Sequence, residues 1–222
     1  MKKLLLILLS FISLNTYAQF EEYFLDKTLR MDYFHSGNKN NDFFTFDEFY
    51  EEPYWGGSKT NLIDPFNYGA YYVKVLDKKS GKEIYSRGFS TLFMEWKTTD
   101  EATHTDRSMI ESVVMPFPKN DAIIEIHKRN SKGKLEKCWA KEFKVNDYFI
   151  NKERRLEYPS FDVHISGDPA KKVDIVILPE GYTEAEMGKF IKDCENFKRS
   201  LFSFSPYDEN IDKFNIRGIL AP

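Results

Sequence analysis

Polar and apolar residues alternate along much of residues 28–145, and this alternation is typical of half-buried β-strands. Residues 70–77 (AYYVKVLD) show it clearly, and the turn after them places Gly81 where a positive φ is needed. Strands are predicted on this basis at 28–36, 70–77, 83–90, 91–98, 108–115, 121–128 and 135–145. About seven short strands separated by turns predict a mainly β fold that begins with an antiparallel β-sandwich.

Three segments of the same region follow the alternation less well. Residues 43–50 carry aromatic side chains on several sides and suit either a strand or a loop. Residues 91–98 are predicted either to continue the preceding strand or to begin another one. Residues 51–68 are rich in Pro, Gly, Asn and Asp, a composition that indicates a long loop.

The pattern changes after the sandwich. Residues 173–179 (VDIVILP) are almost continuously apolar, as expected of a parallel strand that is covered on both faces. Glu180, Gly181 and Tyr182 are predicted to form the turn that opens this domain, with Gly181 relieving backbone strain. A second strand is predicted at 214–220.

A helix between these two strands is predicted from its cap and its apolar face. Thr183 is a suitable N-cap, and Glu186 completes a capping box three residues later. Apolar side chains then recur at helical spacing, at Met187, Phe190, Ile191, Cys194, Phe197 and Leu201. Strand, helix and strand together predict the first βαβ unit of an α/β domain.

The domain organisation follows from these patterns. We predict a signal peptide at 1–18, a sandwich domain at 19–158, a linker at 159–172 and the start of an α/β domain at 173–222. Residues 161–165 (FDVHI) suit a short strand that leads out of the linker. A single βαβ unit does not cover both faces of a parallel sheet. We therefore expect that this domain is truncated and that catalytic chemistry lies beyond Pro222.

The N-terminus has the pattern of a cleaved secretory signal peptide. Lys2 and Lys3 precede the largely apolar residues 4–14, and the small residue Ala18 stands before the polar Gln19. A membrane anchor is the alternative, but a spanning helix needs about 20 apolar residues and this run is shorter. We predict cleavage between Ala18 and Gln19, a secreted or periplasmic protein and no membrane span after cleavage.

The net charge of the chain limits the classes of partner that it is expected to bind, and its cysteine content limits the disulfides that it can form. Without residues 1–18 the chain has 30 basic and 35 acidic residues, a net charge of −5, which disfavours a nucleic-acid partner. Cys138 and Cys194 are the only cysteines, and export would permit a disulfide between them. Because they fall in different predicted domains, two separate buried thiols are the favoured prediction.

The sequence holds no recognisable catalytic or metal-binding motif. It contains no HExxH, no GxSxG, no P-loop and no metal-type Cys/His spacing. We therefore predict no catalytic residue, no metal ligand and no cofactor within this chain. The four histidines are dispersed, and His127 is expected to be an exposed strand residue; the others are His35, His104 and His164.

Tyr54 and Trp55 form the one candidate binding surface. Aromatic side chains beside the flexible Gly56 and Gly57 could form a platform for a ligand. The alternative, which we favour, is that Trp55 fills one end of the sandwich, because large aromatic side chains are on average well buried. A structural ion pair between Arg87 and Glu95 is a further expectation.

Several blocks of the sequence resemble a known family. Residues 85–102 (YSRGFSTLFMEWKTTDEA) resemble the N-terminal domain of secreted IgA-peptidase-type zinc metallopeptidases, metallopeptidase family 64, of Bacteroides-like bacteria. The supporting blocks are LRMDYFHSG (29–37), WGG (55–57), YGAYYVKV (68–75) and MPFPK (115–119). DIVILPEGYT (174–183) and KFNIRGI (213–219) resemble the opening of that family's catalytic domain.

The resemblance implies the N-terminal part of an exported, zincin-like metallopeptidase. Its zinc would be bound in an HExxH region downstream, so the chain alone is expected to be inactive. The missing catalytic domain would act on protein or glycoprotein substrates. The sandwich would serve as an accessory or substrate-positioning domain. The alternative function is an exported β-sandwich that binds glycan or protein without catalysis, but such a module would have no use for half of an α/β sheet.

Overall fold

A computed structural model describes residues 19–153 and 157–222 of the chain. The predicted signal peptide and Ala18 lie outside these residues, whereas Gln19 lies within them. The fold is mainly β and consists of two compact units, and the chain passes from the first to the second after Glu153. Within the described ranges, no helix is both long enough and apolar enough to cross a bilayer.

The first unit consists of two antiparallel sheets. In chain order, its elements are β1 (Phe24–Gly37), β2 (Asp42–Glu52), β3 (Tyr71–Asp77), β4 (Glu83–Phe89), helix α1 (Leu92–Trp96), a short 3₁₀ helix (Glu101–Thr103), β5 (Arg107–Pro118), β6 (Ala122–Arg129) and β7 (Leu135–Phe143). One sheet has the strand order β2-β1-β5 and the other β4-β3-β6-β7. Strands β5 and β4 are therefore edge strands of their respective sheets.

Alternation along the strands explains why the two sheets share one core. Leu29 and Met31 of β1 point inward and are fully buried. Val73 and Val75 of β3 do the same from the other sheet, and all four belong to one hydrophobic cluster. The predicted antiparallel sandwich is confirmed, and the ambiguous residues 43–50 are part of β2.

The prediction of a strand at 91–98 is wrong, because this segment contains helix α1. Thr91 caps the helix by accepting a hydrogen bond from the Met94 backbone nitrogen. Phe93 and Trp96 are buried, while Leu92, the first residue of the helix, is exposed. Burial at positions i and i+3 follows the period of a helix, and the segment is too short for that period to stand out from alternation.

The second unit contains a smaller mixed sheet. Its elements are β8 (Ser160–His164), β9 (Val173–Ile177), helix α2 (Met187–Leu201) and β10 (Phe214–Ile219), with short 3₁₀ helices at Pro169–Lys171, Glu184–Glu186 and Asp208–Lys213. The strand order is β8-β10-β9. Strands β9 and β10 are parallel and are connected through α2, so the predicted βαβ unit is confirmed.

Strand β8 lies within the segment 159–172 that the sequence predicts to be a linker, and it matches the short strand suggested at 161–165 to within one residue. It pairs antiparallel with β10, with Phe161 opposite Gly218. Gly218 is required at this point, because a Cβ there would come within 2.3 Å of the Phe161 ring. The structure thus places residues 160–164 in the second sheet.

Only one face of the second sheet is covered by its helix. Phe190 and Cys194 of α2 are buried against Val163 of β8 and Ile216 of β10. On the opposite face, Val176 is 58% exposed, and Leu178, just after β9, is 68% exposed. Strand β9 is also an edge strand, so both its backbone edge and one of its faces are open.

Candidate functional site

The structure separates the two aromatic residues of the predicted platform. Trp55 is buried in the sandwich core, where its indole Nε1 donates a hydrogen bond to the Ser58 carbonyl at 3.1 Å. Its ring meets Tyr85 edge-on, and a Cβ at Gly57 would lie 2.2 Å from it. Trp55 therefore fills the core, and Tyr54 alone presents an exposed ring.

The domain-start turn lies at the carboxyl end of the parallel strand β9. Gly181 adopts a φ of +79°, a conformation that glycine takes without steric cost. The Tyr182 hydroxyl donates a hydrogen bond to Asp193 Oδ2 of α2 at 2.9 Å, and its ring packs edge-on against Phe190. Loops at this edge form ligand sites in α/β domains. Here Tyr182 fastens the turn to the helix, while Glu180 is exposed.

Charged side chains around this turn also help to hold it against helix α2. Lys189 lies 2.6 Å from Asp193 Oδ2, one helical turn along α2. Hydrogen bonds from Lys189 and then from Tyr182 lower the pKa of the Asp193 carboxyl, and the bond to Asp193 raises the pKa of Tyr182. The predicted capping box also forms, because Glu186 Oε2 accepts a hydrogen bond from the Thr183 backbone nitrogen at 3.0 Å.

A group of interacting polar side chains surrounds His35 on β1. His35 is fully buried, and both of its ring nitrogens have carboxylate partners. Nε2 lies 3.1 Å from Asp42 Oδ2, and Nδ1 lies 3.0 Å from Glu111 Oε2. The rings of Phe44 and Phe93 stack on the imidazole, with centroid distances of 4.4 and 3.9 Å.

Asp42 is the centre of this His35 cluster. The Tyr71 hydroxyl donates a hydrogen bond to Asp42 Oδ2 at 2.7 Å, and Lys97 Nζ lies 3.2 Å from Oδ1. Lys128 forms a further ion pair with Oδ1. These side chains come from β2, β3, β6 and the end of α1, so the cluster connects elements that are far apart in sequence.

The partners set the protonation of the cluster. Burial alone would lower the pKa of His35, but hydrogen bonds with Asp42 and Glu111 outweigh it and raise that pKa. Burial would raise the pKa of Asp42, but hydrogen bonds with His35, Lys128 and Tyr71 hold it well below its usual range. Because both ring nitrogens of His35 are engaged and shielded from solvent, the cluster fits a structural role better than proton transfer or metal binding.

Sequence reasoning missed this cluster, although one signal pointed to it. Leu29, Met31, Tyr33 and His35 alternate along β1, and all four are fully buried. A histidine in phase with an apolar face is an inward-facing residue that needs polar partners. Three of the blocks quoted above meet here, since they supply His35, Tyr71 and Phe93.

The remaining candidate ligands are not brought together. His127 is partly buried, not exposed as predicted, and its Nε2 lies 2.8 Å from Glu125 Oε2. His164 Nε2 lies 3.0 Å from the Ile211 carbonyl oxygen. Across residues 19–153 and 157–222, no three His, Cys, Asp or Glu side chains are grouped so that they could hold a metal ion.

Both cysteines are free thiols, one in each unit. The prediction that both are buried is correct for Cys194 and wrong for Cys138, which is exposed on β7. Partial shielding of its sulfur nevertheless raises the pKa of the Cys138 thiol to about 11. Neither thiol is part of a polar cluster suited to nucleophilic catalysis.

Comparison with known proteins gives two matches that together span both units. Residues 19–140 match a family model described as Peptidase M64 N-terminus. Residues 161–222 match a family model described as IgA Peptidase M64. No curated protein matches the chain.

Proposed function

Because this chain belongs to the peptidase M64 family, we propose that it is the N-terminal part of an exported zinc metallopeptidase. In this proposal the first unit is an accessory or substrate-positioning domain. The second unit is the opening of the catalytic domain, and the substrates are proteins or glycoproteins. The IgA in the family's description does not by itself make immunoglobulin A the substrate of this member.

The open side of the second sheet is the observation that carries the proposal. Parallel strands are normally covered on both faces, because their connecting helices pack on both sides of the sheet. Here α2 covers one face, whereas Val176 and Leu178 on the other face are exposed. Among the strands that the structure describes, β9 has no neighbour on its outer edge. A larger α/β domain would supply the missing strand and the missing cover.

The first unit supports the proposed division of labour. It has its own core, which includes inward side chains of both sheets. Its titratable cluster is centred on the fully buried His35 and on Asp42, whose carboxylate is engaged by His35, Tyr71 and two lysines. A self-contained sandwich of this kind suits positioning of a substrate better than its hydrolysis.

The proposed zinc site lies in sequence beyond the described residues. A hydrolytic zinc needs three protein ligands and an open position for water. The described residues offer no such set, so none of them is given a role as a zinc ligand or a general base. We propose that the ligands lie in an HExxH segment encoded after Pro222.

Export is the remaining part of the proposal. It is supported by the basic Lys2 and Lys3, the apolar residues 4–14 and the small residue Ala18 before Gln19. Mass spectrometry of the exported protein should give an N-terminus at Gln19. An intact Met1 in a membrane fraction would contradict export.

The proposal is tested by comparing this chain with the product of the longer reading frame. The DNA following the Pro222 codon should encode HExxH in frame. Zinc content after dialysis and casein hydrolysis, each with and without a chelator, should then be measured for both proteins. We expect stoichiometric zinc and chelator-sensitive hydrolysis for the longer protein and neither for the present chain.

Two controls separate this proposal from its alternative. A longer protein in which the HExxH glutamate is replaced by glutamine should keep its zinc and lose hydrolysis, because that glutamate is the general base. A stop codon directly after Pro222, together with binding of glycan or protein by the native chain, would replace the proposal with a non-catalytic binding module.

A further inference from the structure

An open groove runs between the edge strand β5 of one sheet and the edge strand β4 of the other. Six consecutive residues of the edge strand β5, 109–114, form one wall. Phe89 of the edge strand β4 and the start of α1 form the other wall. The volume of the groove is about 460 Å³. Ligand pockets in proteins commonly measure about 300–1,000 Å³.

The backbone of β5 is available along this groove. An edge strand pairs on one side only, so every second residue directs its N–H and C=O groups away from the sheet. Natural edge strands are usually protected by charges, and β7 at one edge of the other sheet carries four: Glu136, Lys137, Lys141 and Glu142. Residues 109–114 contain one charged side chain, Glu111, and it points inward to His35.

The groove also exposes apolar side chains. Leu92 at the start of α1 is 74% exposed, and Ile110 of β5 is 64% exposed. Val73, on the inner side of the groove, is fully buried. An apolar wall beside a free strand edge suits a ligand with its own backbone hydrogen-bonding groups and apolar side chains.

Arg87 of β4 adds an unneutralised positive charge. It lines the same groove and is exposed. The predicted pair with Glu95 does not form, and Arg87 has no ion pair with any carboxylate in the part of the chain that the structure describes. At Arg87 the groove is therefore complementary to an acidic group of a ligand, while the Glu111 carboxylate on the β5 side is turned toward His35.

We propose that this groove binds an extended polypeptide segment, which adds to β5 as a further strand and places an acidic side chain beside Arg87. Strand addition of this kind draws affinity from main-chain hydrogen bonds and specificity from alternate side chains. The assignment deepens the proposed function, since the segment would belong to the protein substrate that the sandwich positions.

Fluorescence anisotropy with a labelled peptide tests the groove directly. The probe is a fluorescein-labelled peptide of alternating valine and threonine with one central aspartate, added to the purified chain at low salt. Two further peptides have the same sequence but carry N-methyl groups at alternate backbone nitrogens, in opposite phases. Only the donors of one phase face β5, so one of these peptides should lose at least about tenfold in affinity and the other should bind nearly as well as the parent.

Protein variants locate the binding site. Ile110→Lys should abolish binding because it places a charge in the apolar wall. Phe43→Lys, a matched change at an exposed residue of β2, should leave binding unchanged. Arg87→Gln should lower the affinity for the aspartate peptide by about two- to fivefold, as expected for the loss of an exposed ion pair. It should leave the affinity for an asparagine version of the peptide unchanged.

The outcomes are unambiguous. Absence of binding, equal binding of both methylated peptides, or equal loss in Ile110→Lys and Phe43→Lys would each overturn strand addition at β5. Because this assay needs no hydrolysis, it can succeed even if the longer protein proves not to be a peptidase. Conversely, a zinc-dependent peptidase whose sandwich does not bind these peptides would leave the proposed function intact and remove the groove assignment.

Discussion

The two units differ in how completely they bury their strands. In residues 19–153, inward side chains of two sheets form one core, and the buried His35 lies between the carboxylates of Asp42 and Glu111. In residues 157–222, a single sheet has one face against α2, while apolar side chains on the other face are exposed. The first unit thus has a core that is covered from both sides, whereas the second unit leaves one face of its sheet exposed.

A pair of matched phenylalanine substitutions should show the largest difference between the units. Phe143 on β7 is fully buried and meets Phe49 and Phe117 edge-on, at centroid distances of 5.3 and 5.4 Å. Phe143→Ala should therefore cost about 3–5 kcal/mol of unfolding free energy. Phe197→Ala on α2 should cost about 1 kcal/mol, because that side chain is exposed.

Urea unfolding followed by signals specific to each unit measures both changes. Phe143→Ala should shift only the transition of the first unit. A cost for Phe197→Ala equal to that for Phe143→Ala would show that the second unit has a closed core after all, and the contrast between the units would be lost.

The His35 cluster should give the next largest effect. His35→Leu removes the hydrogen bonds to Asp42 and Glu111 and should destabilise the first unit by about 1–3 kcal/mol at low pH. The folded-state pKa of His35 is raised, so its contribution is fully present below the unfolded value of about 6.5. The contribution of the imidazole charge is lost as pH rises through the raised pKa, so the difference in unfolding free energy between the two proteins should become smaller there.

Tyr71→Phe is the control for this pH dependence. It removes the hydroxyl that donates to Asp42 but leaves the imidazole and its two carboxylates in place. Unfolding measured across neutral pH should show a cost that is nearly constant for Tyr71→Phe and pH-dependent for His35→Leu. A cost for His35→Leu that grows with rising pH would contradict the assigned direction of the pKa change.

Two glycines of the second unit should give the smallest effects, with opposite signs. Gly181→Ala should destabilise that unit by about 1–2 kcal/mol, because alanine is strained at a φ of +79°. Gly188 lies in α2, with open space where a Cβ would be added. Gly188→Ala should therefore stabilise the second unit by about 0.5–1 kcal/mol. Thermal unfolding of both variants provides the test, and destabilisation by both would mean that Gly188 has a packing role.

Local patterns were sufficient to predict much of this contrast. Alternation predicted the sandwich strands, and the continuous apolar run, the capping box and the helical spacing predicted β9, α2 and β10. Each of these signals lies within a short stretch of sequence. The misassigned strand at 91–98 is a helix of five residues, a length at which the two periods are hard to separate.

Features that depend on distant partners were not predictable in this way. The sequence suggested a short strand at 161–165, but nothing in these residues identifies its partner β10, which lies some fifty residues later. The His35 cluster likewise draws Asp42, Tyr71 and Glu111 from three different strands. The inward phase of His35 could have predicted its burial, but not which carboxylates would neutralise it.

Hydrogen exchange of the purified monomer tests the central claim most directly, because it reports the stability of both units in one molecule. We predict slow exchange in the central strands β1, β3 and β6 and much faster exchange in β9 and β10. That difference is expected if the second unit is one part of a larger sheet. Protection of β9 and β10 equal to that of the sandwich core would contradict the account, since it would show that residues 157–222 are stable without further chain.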